Sequence, residues 1–483
     1  MYHDEPPLRL KAVDLDALDE CPASGGGGSR LSTAALDRWK AVRYALEGAL
    51  ANGGDVDAAV EDNAAWLDRV QKGLVTEFVT NGVLILGASD AETEFDPEDS
   101  FVTVEHPSLN IEFASYFQIV VTDPRDPTKV EYLKIRTGRE GTSASEAAIL
   151  LTGGEPDVGY ADLMLRDGTV EAMDMPRSEV EEAIARLNEL AARDTNLRDR
   201  KPGRQCYRCD RVATCGQYPA PDGYRVGRRQ RTIRVSKSDV LRLDQCHRRV
   251  AWKAIYAIPQ DSEGEAGLAA VTGLLFHEIL AEVLLSDDPD GTFSEMVGRV
   301  SPEDRDKMIG LYERHKQIES SHVPVRCGRT EYQVGATFIL EGLDADRDGN
   351  VREGAAVAIA IIARTDAVGR EPDNTPAVIE HRTGKTSDRI DDRETAMYAL
   401  STARLLGVDT VAVHQHALGT AGDPECIRIV YDADRLAEAD ELLMQVLAPI
   451  VAWDPVDATQ PSYSVGEWCT GCPYQERCTN HRN

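Results

Sequence analysis

Residues 361–385 read IIARTDAVGREPDNTPAVIEHRTGK. An apolar, partly β-branched run, the turn segment EPDNTP and a second apolar run predict a β-hairpin. Such a hairpin can bring Asp366 and Glu380 to one edge. Two carboxylates held close without a basic partner repel each other, and one of them is driven toward protonation. A divalent cation relieves that repulsion, and oxygen ligands suit Mg2+ or Mn2+. A cation so held can activate water and stabilise the charge of a phosphate being cleaved. Arg382 stands two residues after Glu380 and points to the same face of its strand. The bland alternative is a solvated hairpin in a chain that carries 83 acidic residues.

Outward from the hairpin, residues 331–343, 355–370 and 376–382 read as a strand meander, and 388–406 as a helix. Residues 408–418 read as a further strand and 433–451 as a closing helix. The expected core is α-β-β-β-α-β, a mixed α/β sheet. The hairpin's HRTGK (381–385) is answered earlier by IRTGR (135–139). Two other landmarks repeat in the same order. DLDALDEC ends at Cys21 and DVLRLDQC at Cys246; Cys206-x-x-Cys209-x5-Cys215 answers Cys469-x-x-Cys472-x5-Cys478. Offsets of 225, 246 and 263 residues grow along the chain without changing the order. This predicts two tandem domains, 1–222 and 223–483, joined by QYPAPDGYRVGRRQR, which has the Pro and Gly of a linker.

Each half supplies one early cysteine and a late trio. Four thiolates suit an iron–sulphur cluster or zinc, and the spacing leaves both open. Either centre closes a loop of about 190 residues in the first half and about 230 in the second, so its expected role is a structural staple. Cys327 and Cys426 have no repeat partner and read as small buried hydrophobes.

Composition bounds the setting. The chain has 483 residues, 53 basic and 83 acidic, for a net charge of −30, and only 11 of the basic residues are Lys. An acidic, lysine-poor surface fits a salt-rich cytosol. The expectation is a halophile whose surface as a whole does not bind nucleic acid, with room for a local basic strip. No apolar run reaches membrane-span length, and the opening MYHDEPPLRL has no secretory pattern, so a cytoplasmic protein is expected.

Taken together, the early Cys, a helical His, Asp366, Glu380-x-basic-Thr-Gly, a Tyr-bearing helix and WCTGCPYQERC resemble the RecB-type PD-(D/E)XK nucleases with an iron–sulphur staple. These are the CRISPR-adaptation exonucleases and the AddB-type nuclease domains, and a haloarchaeal source fits the composition. The resemblance covers nearly all of residues 236–483 and implies two tandem restriction-endonuclease-like domains, each with a four-cysteine site. It implies a 4Fe–4S cluster on Cys246, Cys469, Cys472 and Cys478, and a metal held by His277, Asp366 and Glu380. It implies DNA, single-stranded or with free ends, as substrate, in repair or CRISPR-type processing, with a helicase or CRISPR-adaptation partner and no membrane. The family's Gln-x-x-x-Tyr helix is matched by Glu394 to Tyr398. Two positions depart from the pattern: Arg382 replaces the motif lysine, and Glu394 replaces the glutamine. Arginine cannot give up its proton at useful pH, but it can stabilise a phosphate; Lys385 lies close by in sequence.

The first half reads as catalytically dead. Lys134 stands where Glu380 would match, Gln118 falls opposite Asp366, and residues 31–80 contain no His. Cys21, Cys206, Cys209 and Cys215 remain. The non-enzymatic alternative is a pseudonuclease that holds DNA or a partner, and a third reading is a zinc-stapled structural protein. Residues 224–253 carry ten Lys or Arg against two Asp, and Arg228, Arg229, Arg231 and Arg234 are expected to follow phosphates, with Tyr224 and Trp252 as stacking candidates. DADRDGNV (344–351) mimics a calcium loop but has Ala355 at the twelfth position, so an acidic hairpin turn is expected. The tetraglycine 25–28 lacks the Lys-Ser or Lys-Thr of a phosphate loop.

Overall fold

Two six-stranded mixed sheets carry the chain, each reached by a leading strand, a run of helices and a strand meander. The computed structural model describes residues 7–21, 33–87, 91–155, 158–193, 200–207, 209, 211–227, 230–261, 268–345, 351–384, 391–419 and 423–480. In the N-terminal half β1 (Leu8–Lys11) runs directly into α1 (Ala12–Glu20), and α2 (Thr33–Ala51), α3 (Val56–Ala64) and α4 (Arg69–Leu86) follow. A meander comes next, of β2 (Glu92–Glu105), β3 (Ile111–Asp123) and β4 (Asp126–Arg136), then α5 (Ala144–Gly153), β5 (Val158–Met164), β6 (Thr169–Ala172) and α6 (Arg177–Ala192). In the C-terminal half β7 (Thr232–Ser236) runs into α7 (Lys237–Leu241), followed by α8 (His247–Ala254), α9 (Leu268–Val283), α10 (Pro289–Gly298) and α11 (Pro302–Ser321). Its meander is β8 (Arg326–Ala345), β9 (Val351–Arg370) and β10 (Pro376–Arg382). After it come α12 (Asp392–Leu406), β11 (Val411–Ala417), β12 (Glu425–Tyr431), α13 (Ala433–Val451) and the short α14 (Gln475–Asn480).

The first sheet runs β6-β5-β4-β3, with β1 and β2 both paired to β3; the second runs β12-β11-β10-β9, with β7 and β8 both paired to β9. β1 and β7 lie parallel to their partners, as do β4 with β5 and β10 with β11. The two halves therefore share one connectivity. The expected meander, helix and strand are present; the leading strands β1 and β7 and the outer strands β6 and β12 lie outside the core that the sequence suggested. DADRDGNV sits at the β8–β9 hairpin, where Ala345 pairs with Val351, while residues 346–350, like Lys385 and the tetraglycine, lie outside the described residues.

Local chemistry fixes these elements. Residues 357–363 of β9 are all buried, which suits the apolar run VAIAIIA to a central strand. A capping box starts α7: the Ser236 hydroxyl accepts from Asp239 N while the Asp239 carboxylate accepts from Ser236 N. α12 begins on Asp391, whose side chain accepts from Arg393 N, and ends at Gly407, whose φ of 66° is the left-handed conformation that glycine adopts without a Cβ clash.

The largest apolar cluster is shared by the halves, running from α2–α4 through one face of the first sheet and into the second sheet, α12 and α13. Arg38 donates to Tyr256 O (3.1 Å) and Ala257 O (2.8 Å), and Arg477 pairs with Glu77 at 2.9 Å. The start of the segment expected as a linker is packed: Tyr218 is fully buried, its hydroxyl 2.9 Å from Gln333 Oε1, and Thr337 N donates to Pro219 O. The Tyr218 ring packs on Ala358, Ala360 and Ile362 of β9, while Asp222, Gly223 and Tyr224 further along are exposed. No helix among the described residues is long and apolar enough to cross a membrane.

Beyond the end of β9, buried Glu371 accepts from Arg428 Nε and Nη2, both at 2.6 Å, and lies 2.6 Å from His414 Nε2. The Arg428 hydrogen bonds outweigh burial and hold its carboxyl below the usual range. A group depressed in the folded state adds stability above its unfolded value, and loses it as pH falls through the folded one. Glu371→Gln is therefore expected to lower the urea midpoint at pH 7 and to flatten its decline toward acid; an unchanged acid profile would show that the cluster is not coupled to folding.

Candidate active site

The β9–β10 hairpin pairs Val378 with Val368 and Ile379 with Ala367, which brings Asp366 and Glu380 to the next step, where the strands part. Asp366 accepts from His381 N at 2.5 Å, and its Oδ1 is 2.9 Å from His277 Nδ1 on α9. Burial alone would raise this carboxyl, but the hydrogen bonds from His277 and His381 hold it well below the ordinary carboxylate range. Glu331 joins from β8. It lies across the β8–β9 ladder from Asp366, between the Thr330–Ala367 and Tyr332–Thr365 pairs, with a φ of 49°, and pairs with Arg364. A glutamate at positive φ is strained, and such strain concentrates at functional sites. His277, Glu331 and Asp366 each offer a ligand atom, all within 4.8 Å of one another.

Glu380 faces a different set of partners. Lys237 Nζ, at the start of α7, is 2.9 Å from Glu380 Oε1, 2.9 Å from Glu394 Oε1 and 2.5 Å from the Tyr398 hydroxyl, which donates to Glu380 Oε2 at 2.7 Å. Burial first, and then the Asp366 charge, push the Glu380 carboxyl up to about 7, with Lys237 opposing. Burial would lower the Lys237 ammonium, but Glu380 and Glu394 hold it above its usual range, so it stays charged. Arg382 pairs with Glu394 Oε2 and, with the Gln415 amide turned to present its oxygen, takes that acceptor at 2.8 Å from Nη2.

The first sheet repeats this frame with other chemistry. Ile119 pairs with Leu133, so Gln118 stands at the Asp366 position and Lys134 at the Glu380 position. Gln118 Oε1 accepts from Ile135 N at 2.8 Å, the same hydrogen bond that Asp366 takes from His381 N. Lys134 Nζ is 2.6 Å from Glu146 Oε1 and 4.3 Å from the centre of the Tyr116 ring. The 225-residue offset that aligns the early cysteines places Ala12 where the second half has Lys237. The ammonium has changed elements: it enters from α7 in one half and from β4 in the other.

In each half, thiols lie near enough to bear on one another's charge. Cys209 is pushed up to about 11 by burial, with Cys215, Cys206 and Cys21 adding to the rise. Cys472 is raised by burial, with Cys246 and Cys469 contributing. Backbone amides point at sulfur in the first group: Lys201 N lies 3.5 Å from Cys21 Sγ, Gly203 N 3.5 Å from Cys206 Sγ and Gln217 N 3.4 Å from Cys215 Sγ. In the second, Arg248 N bonds Ser462 O at 2.9 Å, and Ser464 bonds Gln245 O, which docks the tail carrying the trio beside Cys246.

The basic strip is less open than its composition suggests. Arg228 and Arg229 lie outside the described residues. Arg231 is half-buried and donates to Leu343 O; Arg234 is half-buried within β7. Trp252 is fully buried, its indole N–H 2.9 Å from Ala458 O, so it serves the core and not a base stack. Tyr224 remains partly exposed. Lys237, Glu331 and Gln415 escaped the sequence reading. Only Lys237 left a signal there, as a lysine in a lysine-poor chain that the cysteine offset pairs with alanine.

The family model for the PD-(D/E)XK nuclease superfamily matches residues 234–479. No curated protein matches the chain. Among solved structures, one described as "Crystal structure of SSO0001" is 14% identical over 52% of this chain and 87% of that chain, with a TM-score of 0.24, too small to bear on the fold. The matched span begins in β7, three residues before Lys237, and takes in His277, Glu331, Asp366, Glu380 and the second cysteine trio; by that match the chain belongs to the PD-(D/E)XK nuclease superfamily.

Proposed function

We propose that the chain is a metal-dependent DNA nuclease of the RecB type, with its site in the second half and a catalytically silent copy in the first. The observation that carries this reading is the convergence of His277, Glu331 and Asp366 within 4.8 Å, with Glu380 and the Lys237 ammonium beside them. One imidazole and two carboxylates suit Mg2+ or Mn2+, and Asp366, Glu331 and His277 would hold the ion with Glu380. A bound divalent cation supplies water activation and charge stabilisation at phosphate. The chain's own part is positional. His381 N and His277 orient Asp366, Tyr398 and Lys237 orient Glu380, and Lys237 offers a fixed positive charge to a phosphate oxygen. Arg382, engaged by Glu394 and Gln415, holds the α12 side of the site, so Lys237 takes the part that the motif lysine has in the family. The matching connectivity of the two sheets supports an internal duplication, and Gln118 and Lys134 support loss of the first site.

Each four-cysteine group is proposed to hold a 4Fe–4S cluster as a staple, with zinc as the alternative; the amides aimed at Cys21, Cys206 and Cys215 suit sulfurs that carry negative charge. The acidic composition supports a halophilic, cytoplasmic setting. DNA with free ends, handled in repair or CRISPR-type processing, is the proposed substrate, with a helicase or adaptation protein as partner. Protein purified anaerobically is expected to be brown, to carry iron and sulfide, and to release nucleotides from single- or double-stranded DNA with Mn2+. Colourless protein holding zinc removes the cluster reading, and intact coloured protein that cuts neither substrate removes the nuclease reading. The second reading, a DNA-holding pseudonuclease, is favoured by the neutralisation of Glu380 by Lys237; it requires DNA binding with no cutting at any Mn2+ concentration.

A further inference from the structure

We propose that His315, His381 and His416 form a second metal site, separate from the carboxylate site, that takes a divalent transition-metal cation of the zinc class. The three side chains come from α11, β10 and β11, and His381 and His416 are direct partners in the β10–β11 register. One ring nitrogen from each lies within 4.8 Å of the others. The residues are 3%, 3% and 4% exposed.

Their nitrogens are what a packed core histidine would not leave open. His315 Nδ1, both nitrogens of His381 and His416 Nδ1 are buried and make no hydrogen bond. Buried polar atoms almost always have partners, and a group of such atoms facing one another calls for a bound species. A cation is the species that accepts several lone pairs at once. The outer contacts fit as well. Asp366 Oδ2 is 3.4 Å from His381 Nδ1, which leaves Nε2 for the metal, and Glu319 Oε1 is 3.8 Å from His315 Nε2, which leaves Nδ1. Carboxylates behind the ligating imidazoles are the usual second layer of such centres. An all-imidazole set selects zinc-like ions over magnesium, whereas the neighbouring carboxylate set suits the reverse. The two sites would meet at Asp366, which reaches His277 with one oxygen and His381 with the other.

The test is zinc titration of the full-length protein with its thiol sites already loaded and Mg2+ in excess. One further zinc per chain is expected, and X-ray absorption of that zinc should show a nitrogen shell with several imidazoles. His315→Asn and His416→Asn are expected to lose it, while His277→Asn keeps it. No additional zinc in the wild type, a sulfur-only shell, or full retention by folded His315→Asn and His416→Asn overturns the proposal. If neither variant folds, the wild-type stoichiometry and absorption spectrum decide the matter alone.

Discussion

Asp366→Asn is expected to slow Mn2+-dependent release of nucleotides from DNA by on the order of a thousandfold, while leaving the fold intact. Asp366 is the carboxylate that His277 and the His381 amide hold ionised, and it shares the donor cluster with Glu331. Asparagine keeps the shape and removes the charge. A catalytic cation contributes several kcal/mol of charge stabilisation, and each 1.36 kcal/mol is a tenfold change, so losing its hold on the ion gives an effect of about that size. The effect should fall mainly on kcat and on the Mn2+ requirement. Cutting within tenfold of the wild type at saturating Mn2+ would place the chemistry elsewhere.

The second large effect is on stability. Lys237→Met keeps most of the stem and removes the ammonium, leaving Glu380 and Glu394 buried without their common partner. Breaking a buried pair by removing one member costs about 3–5 kcal/mol. The deficit should grow with pH. Glu380 already sits near 7, above its ordinary 4.5, and a carboxyl raised in the folded state gives stability present below the unfolded value and lost as pH rises through the folded one. Without Lys237 that rise is larger. Urea unfolding in chelator should therefore show a greater deficit at pH 8 than at pH 5, and added Mn2+ should recover part of it. Equal deficits at both pH values would mean that Lys237 acts by packing alone.

Apolar, partly β-branched runs bounded by turn residues made the β8–β10 meander legible, and helical spacing gave α12 and α13, because burial on a regular element leaves a regular trace. β7 and β12 left weaker traces. TIRVS is short and lies within a run of arginines, and ECIRIVY has one mostly exposed face. Asp366, Glu380, His277 and Tyr398 were readable as a family pattern, but Glu331 and Lys237 beside them were not. Glu331 reaches the cluster through the β8–β9 register, which sets it across from Asp366, and through a positive φ that composition does not announce. Lys237 lies 143 residues from Glu380, so only the folded register joins them. Trp252 and Arg231 were misjudged for the converse reason: a basic, aromatic stretch looks solvent-facing until the strand and helix that carry it turn those side chains inward.

Lys134 has a consequence of its own. A dissolved ion stabilises whatever binds it only by mass action, and its help fades as the medium is diluted or chelated. Lys134 is a counter-ion fastened to the backbone, 2.6 Å from Glu146, and it never leaves. The charge at the centre of the N-terminal sheet is thus balanced whatever the supply of Mg2+ or Mn2+, whereas its counterpart in the second sheet changes its balance with that supply.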